Sequence, residues 1–176
     1  MPGPVFIDGD VVALRTLEDE DRDALQETAN HPGVRVRAGG PPEPFDEGDT
    51  DDYLEWLRDD DRVALAITVD GAYVGMVSLK RVERPNDYAA AGVHVHPDYQ
   101  RQGYAREAVT LLVDWAFDQY GLHKVGANAY DFNDASRALL EDLGFRHEGR
   151  LREERYANGE YHDVHHYGVL EREWVD

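Results

Sequence analysis

One stretch of the chain has the residue types and spacing of a phosphate-binding turn. Residues 93–108 (VHVHPDYQRQGYAREA) are typical of the end of a strand, a polar turn and the beginning of a helix. Backbone N–H groups in such a turn and in the first helical turn converge on one point, where the helix dipole favours an anion. Gly103 lets the backbone approach a ligand without a Cβ, and Ala105 keeps the next contact small. The sequence predicts an anion site made by Gln100, Arg101, Gln102, Gly103, Tyr104 and Ala105.

The Q-x-x-G-x-A pattern is short, so a strand-to-helix turn that happens to contain a glycine is an alternative interpretation. The spacing matches neither Walker A, which ends in Gly-Lys-Ser/Thr, nor the dinucleotide pattern G-x-G-x-x-G.

Histidines are the second group of residues that could do chemistry. His94 precedes the turn, and an imidazole that titrates near neutrality could act as a general base. His94 shares its strand face with His96, so a structural role is the alternative. His162, His165 and His166, with Asp163, suggest a metal site. Because neighbouring residues of a strand point to opposite faces, His165 and His166 cannot converge, and we predict no metal.

A sheet must hold the strand before the turn. Residues 63–69 and 73–81 flank Asp70-Gly71 and predict a hairpin. A further strand over 88–96 stops at Pro97, and apolar residues at helical spacing predict a helix over 103–120 that ends at Gly121. The elements predicted after it are a strand over 124–130, a helix over 133–143 closed by Gly144, and a hairpin of residues 145–156 and 161–170 around Asn158-Gly159.

The N-terminal part predicts a short strand over 11–14, a helix from the Thr16 cap to about residue 29, and a helix over 51–58. Residues 39–52 (GGPPEPFDEGDTDD) are rich in Gly, Pro and acids and predict one long surface loop. The expected fold is α/β: one domain over 1–176, with its core at about 11–174, in which a mixed, mostly antiparallel sheet carries helices on both faces.

The composition limits the partners. Thirty-seven acidic residues against 18 basic ones give a net charge of −19, which excludes a general nucleic-acid binder because that function needs a positive surface. Sixteen of the basic residues are arginines and only Lys80 and Lys124 are lysines. An acidic surface with few lysines is typical of proteins kept soluble in high salt, and an acidic protein of ordinary salt is the alternative. No cysteine, signal peptide or long apolar run is present, so we expect a cytoplasmic protein without a membrane partner.

The chain resembles the GNAT superfamily of acyl-CoA-dependent N-acyltransferases. The turn matches that family's Q/R-x-x-G-x-G/A pattern, which lies between its fourth strand and third helix. Residues 133–137 (NDASR), then 143–145 (LGF), 148–149 (EG) and 156–163 (YANGEYHD), with Tyr167, resemble the RimJ/RimL branch, whose members acetylate protein N-termini. The resemblance covers about residues 11–174 and implies a sheet that splays between its predicted fourth strand, 88–96, and fifth, 124–130.

The resemblance implies a site for acetyl-CoA, without a metal. The pyrophosphate would lie on residues 100–105, with positive charge from Arg101 and Arg106. The pantetheine arm would pair with the backbone of Val93, His94 and Val95, and an N–H of about His94 or Val95 would polarise the thioester carbonyl. Asn133 would hold the pantetheine or the helix entry, although a simple N-cap is the alternative.

The resemblance implies direct attack of an amine on the thioester, with no covalent intermediate. Leu140 stands where many members have a tyrosine that protonates the thiolate, so Ser136 is the residue implied near the sulfur. The branch commonly has a glutamate two residues before the strand glycine, where this chain has Ala90, and an acid where it has Arg155. His94 is therefore the remaining candidate base.

The predicted acceptor is the α-amine of a protein or peptide. A small amine, such as a polyamine, amino acid or antibiotic, is the second interpretation, and an acyl-CoA-binding module without turnover is the third. A homodimer is left open.

Overall fold

The computed structural model describes residues 3–39 and 42–174. Eight strands form one sheet in the order β1-β2-β3-β4-β5-β6-β8-β7, and all neighbours are antiparallel except β5 and β6. The strands are β1 Val5–Asp8, β2 Ala13–Thr16, β3 Val63–Val69, β4 Ala72–Glu83, β5 Tyr88–Val95, β6 Lys124–Tyr130, β7 Arg146–Ala157 and β8 Glu160–Leu170. The α-helices are α1 Arg22–Asn30, α2 Pro32–Ala38, α3 Glu47–Leu57, α4 Tyr104–Asp118 and α5 Asp134–Asp142.

The expected fold class is confirmed, with one more strand than the sequence predicts. The predicted strand over 11–14 corresponds to β2, which begins at Ala13, and the sequence misses β1. The two strands are joined by a turn in which Gly9 N–H donates to the Val12 carbonyl. The predicted fourth and fifth strands are therefore β5 and β6. Lys124–Tyr130 has the predicted bounds, and α4 is slightly shorter at each end than expected.

The predicted long loop over 39–52 is wrong over its second half, because α3 begins at Glu47. The Asp46 side chain accepts from Asp49 N–H and the Asp49 side chain accepts from Asp46 N–H, a capping box that starts the helix among acids. The sequence also misses α2, which begins with Pro32 and is capped by the His31 imidazole.

Helices cover both faces of the sheet. Along β4, Val77 and Leu79 point to one face, where they join a core with Leu112 of α4 and Leu140 of α5. Met76 points to the other face and packs with α1 and α3 in a second core of Leu25, Leu54, Leu57 and Met76. Within residues 3–39 and 42–174, no helix is long and apolar enough to cross a bilayer.

The sheet opens between its two parallel strands, as expected. β5 and β6 pair only from Tyr88↔Lys124 to Ala91↔Ala127. Beyond that point both strands continue without pairing to each other, while β5 stays paired with β4 as far as Val95. The separation leaves an opening through the sheet beside residues 92–95.

Candidate active site

A cavity of about 510 Å³ lies at the opening between β5 and β6. Val93, Val95 and the turn before α4 line it on the face that carries α4 and α5. Gly92 and His94, which alternate with them, line it on the opposite face beneath α2 and α3. The cavity therefore passes through the sheet and can hold two molecules that meet in the opening.

The turn before α4 has a backbone suited to an anion. Arg101 and Gly103 both adopt left-handed conformations, with φ of 62° and 85°. Such residues within a turn direct successive N–H groups to one side. The Gln100 side chain donates to the Val95 carbonyl at 2.9 Å and fixes the turn against β5. A Cβ at Gly103 would have no heavy atom within 4 Å, so open space faces this backbone.

The first turn of α4 offers free donors beside that space. Gly103 is the N-cap, and no side chain caps the helix, so its first N–H groups remain available to a ligand. Arg101 has no acceptor or ion-pair partner among the described residues, whereas Arg106 donates to the Asp142 carbonyl at 3.3 Å. A diphosphate fits these donors and charges.

Eleven of the twelve residues expected to bind the co-substrate line this cavity; Gln102 does not. Its side chain accepts instead from the Tyr104 hydroxyl at 3.0 Å.

The backbone of β5 presents alternate N–H groups to the opening. His96 N–H donates to the Val74 carbonyl on β4, so His94, two residues earlier in the same regular pairing, also directs its N–H to β4. Val93 and Val95 therefore direct theirs to the β6 side, where no strand pairs with them. Of the two expected oxyanion donors, this geometry favours Val95 over His94.

The His94 side chain is half-buried and lines the cavity. Burial, with the nearby Lys80 ammonium, lowers the pKa of His94 to about 4. The imidazole is therefore neutral at neutral pH, but it is a weaker base than its usual pKa implies. His96 lies outside the cavity lining and packs its ring on His31, with 5.4 Å between centroids.

Asn133 acts as an N-cap, since its side chain accepts from Ser136 N–H at 3.3 Å. Both residues line the cavity, and the Ser136 hydroxyl has no partner among the described residues. Leu140, which replaces the tyrosine of other members, is buried in the core.

The remaining histidines are held apart. His162 contacts the Asp131 carboxylate at 3.0 Å, and His165 contacts His147 at 2.9 Å. In residues 3–39 and 42–174, no three His, Cys, Asp or Glu side chains are grouped to hold a metal.

Six polar residues of the cavity were not predicted from the sequence: Arg37, Tyr53, Ser78, Lys80, Tyr99 and Asn128. Arg37 lies on the unpredicted α2, and Tyr53 lies on α3. Burial raises the pKa of Tyr53 to about 12, so its hydroxyl keeps its proton and can donate. Ser78 and Lys80 alternate with the core residues of β4, a pattern that could have placed them on one face.

This fold and cavity define an acetyltransferase of the GNAT type. The family described as "Acetyltransferase (GNAT) domain" matches residues 12–146, which is 135 of the 176 residues. The chain belongs to this family.

Known proteins similar to the chain differ in their acceptors. It is 32% identical over 123 residues to the "Putative ribosomal N-acetyltransferase YdaF" of Bacillus subtilis, covering 70% of this chain and 67% of that protein. It is 27% identical over 165 residues to the spermidine N(1)-acetyltransferase of Escherichia coli K12, covering 93% and 88%. The spermidine N-acetyltransferase of Vibrio cholerae, solved with CoA and spermine, has the same fold at 23% identity, with a TM-score of 0.88 over 96% of this chain and 100% of that one. The similarity therefore leaves the acceptor class open.

Proposed function

We propose that the protein transfers an acetyl group from acetyl-CoA to a primary amine, and that this amine is the α-amine of a protein or peptide, as in the RimJ/RimL branch. The observation that carries the proposal is the cavity through the sheet, with an uncapped helix N-terminus on one side and polar side chains on the other. Two substrates that enter from opposite faces would meet beside β5.

The residues at the α4 side fit the co-substrate. Backbone N–H groups of residues 101–105 and the Arg101 guanidinium would bind its diphosphate. The unpaired edge of β5 at Val93 and Val95 would bind its peptide-like arm, and the Val95 N–H would donate to the thioester carbonyl oxygen. Acetyl-CoA supplies the activated acetyl group.

The reaction then needs the attacking amine to lose a proton and the departing sulfur to be stabilised or protonated. Ser136, whose hydroxyl has no partner in the described part of the chain, would donate a hydrogen bond to the sulfur that departs. His94, neutral at neutral pH, would accept the proton of the attacking amine directly or through a water. A pKa of about 4 makes His94 a weak base, so we assign it chiefly to holding the amine as an acceptor of its hydrogen bond.

A small-molecule amine is the second candidate acceptor, supported by similarity to the spermidine enzymes. The third, an acyl-CoA-binding module without turnover, is supported only by Ala90 and Arg155, which stand where the RimJ/RimL branch commonly has acids.

The proposed acetyl-CoA site is tested by Gly103→Glu, which would insert bulk and negative charge into the space facing the turn. Acetyl-CoA affinity, measured by calorimetry, should be abolished. Gly159→Glu is the matched control, because Gly159 also has a positive φ and open surroundings but lies in the β7–β8 turn. Equal affinity in the folded Gly103 variant would refute the assignment.

The proposed acetyl transfer is tested by measuring release of the CoA thiol with peptides or spermidine as the acceptor. Thiol release that depends on an amine supports the transferase. Tight acetyl-CoA binding without release for any amine would favour the binding module.

A further inference from the structure

The acceptor side of the cavity, which is the part beneath α2 and α3, carries positive charge and no negative charge. Its charged side chains are Arg37 of α2 and Lys80 of β4, beside the neutral His94. No aspartate or glutamate is among the described residues that line the cavity. This is unexpected for a chain in which acidic residues outnumber basic ones by 37 to 18.

The Lys80 side chain is half-buried, and its ammonium has no anionic partner among the described residues. Its Nζ lies over the Trp56 ring, 5.4 Å from the ring centroid. Arg62 lies over the same ring at 3.9 Å and takes the nearby carboxylates, forming ion pairs with Asp59 and Asp61. The other lysine, Lys124, is held by Glu148 at 2.7 Å. A partly buried ammonium that has no counter-ion is a favourable partner for an anionic ligand, because a hydrogen bond between two charged groups is stronger than one between neutral groups.

The groups around Lys80 do not supply a negative charge. Ala90 lies directly opposite on β5, and Ser78 lies opposite Gly92, two positions along. The Tyr53 hydroxyl keeps its proton and can donate to an anion. Arg37, which lies above the opening, also has no partner among the residues described. The acceptor side is therefore rich in donors and cations.

We propose that the acceptor is an amine that carries a carboxylate near its amino group, and that Lys80 binds this carboxylate with help from Arg37. The proposal rests on the proposed function. A polyamine would place a second cation against Lys80, which like-charge repulsion disfavours. Both an amino acid and a peptide that begins with an acidic residue have the required chemistry.

The experiment measures kcat/KM with amidated pentapeptides that begin with aspartate, asparagine or lysine and are otherwise identical, and with free aspartate and spermidine. The kcat/KM of the aspartate peptide should exceed that of the asparagine peptide by about tenfold or more, since the contact of a carboxylate with Lys80 is charge-assisted and that of an amide is not. A higher value for free aspartate would identify an amino acid as the source of the carboxylate, and a higher value for the peptide would identify a chain terminus. Either result supports the proposal.

Variants then test whether Lys80 causes the preference for the aspartate peptide. Lys80→Met, which keeps most of the apolar stem and removes the charge, should reduce the aspartate-to-asparagine ratio of kcat/KM to about one, whereas Lys80→Arg should retain the ratio. Arg81→Met is the matched control, because it removes the adjacent cation, which does not line the cavity. Equal rates with both peptides, a preference for spermidine, or a ratio unchanged in Lys80→Met would overturn the proposal.

These failures are distinct from failure of the proposed function. Equal use of all amines would refute the carboxylate site and leave the transferase intact. If no amine releases thiol, calorimetry of the aspartate and asparagine peptides with the CoA-loaded protein still tests the carboxylate site, and equal affinities would refute it.

Discussion

Ser136 lies beside the opening, where its hydroxyl has no partner among the described residues and its backbone N–H donates to the Asn133 side chain. If the hydroxyl hydrogen-bonds the sulfur, Ser136→Ala should lower kcat on the order of 10²-fold, the range for one general acid or one oxyanion donor. Acetyl-CoA affinity should change little, because the diphosphate contacts are elsewhere. Stopped-flow thiol release and calorimetry measure the two. Full turnover in the alanine variant would reduce Ser136 to a residue of the helix surface.

His94 makes stability depend on pH in a defined window. Its pKa is about 4 in the native state, whereas histidine in an unfolded chain titrates near 6.5. Between these values the unfolded state binds a proton that the native state does not, so acidification through the window destabilises the protein. His94→Gln cannot titrate, and its Tm should therefore fall less between pH 7 and pH 4.5 than that of the wild type.

Circular dichroism melts of wild type, His94→Gln and His123→Gln provide the comparison. His123 is exposed and outside the cavity, so its variant controls for loss of an imidazole. If the Tm of His94→Gln falls as steeply as that of the wild type, the imidazole is not buried at a cost.

At the scale of elements, the end of β5 is fixed by its close approach to β4. A Cβ at Gly75 would collide with the His94 carbonyl oxygen and lie 2.9 Å from the Val95 Cα. Gly75→Ala should therefore destabilise the protein by about 1–3 kcal/mol, the usual cost of overpacking. Because His94 and Val95 would move with the strand, acetyl-CoA affinity should fall as well.

Urea unfolding and calorimetry test both effects, with Gly149→Ala on β7 as the control, since its Cβ would meet nothing within 4 Å. Loss of stability without loss of affinity would show that the opening does not depend on this contact.

At the scale of the whole molecule, the net charge of −19 sets the response to salt. The Debye length is about 30 Å at 0.01 M, so most surface charges repel one another, and about 3 Å at 1 M, where only neighbours interact. We expect the Tm to rise with KCl, with most of the gain below about 1 M and any further rise caused by exclusion of salt from the surface.

Melts from 0.05 to 3 M KCl measure this response. A flat or falling curve would show that the acidity is not an adaptation to salt, and would direct attention to the acidic segment around α3 as a surface for a cationic partner. The cytoplasmic location stays a prediction.

Much of the fold was predictable because the deciding signals are local. Periodic apolar residues, the Asp70-Gly71 and Asn158-Gly159 turns and the glycines after helices placed most elements correctly. The errors lie at the N-terminal end, where short elements compete with turn-forming residues. A capping box of acids begins α3 inside a segment whose composition is typical of a loop.

The candidate site likewise has features that the sequence predicts and features that only the tertiary structure shows. By itself, the sequence predicted the turn from Gln100 to Gly103, since the residues of such a turn are contiguous in the chain. Only the tertiary structure decided that β5 separates from β6 after Ala91 and that Val95 directs its N–H into the opening. It also decided that Lys80 faces the cavity with no counter-ion among the described residues. These features depend on strand register and on helices distant in sequence, and hydrophobic pattern does not specify which partners meet.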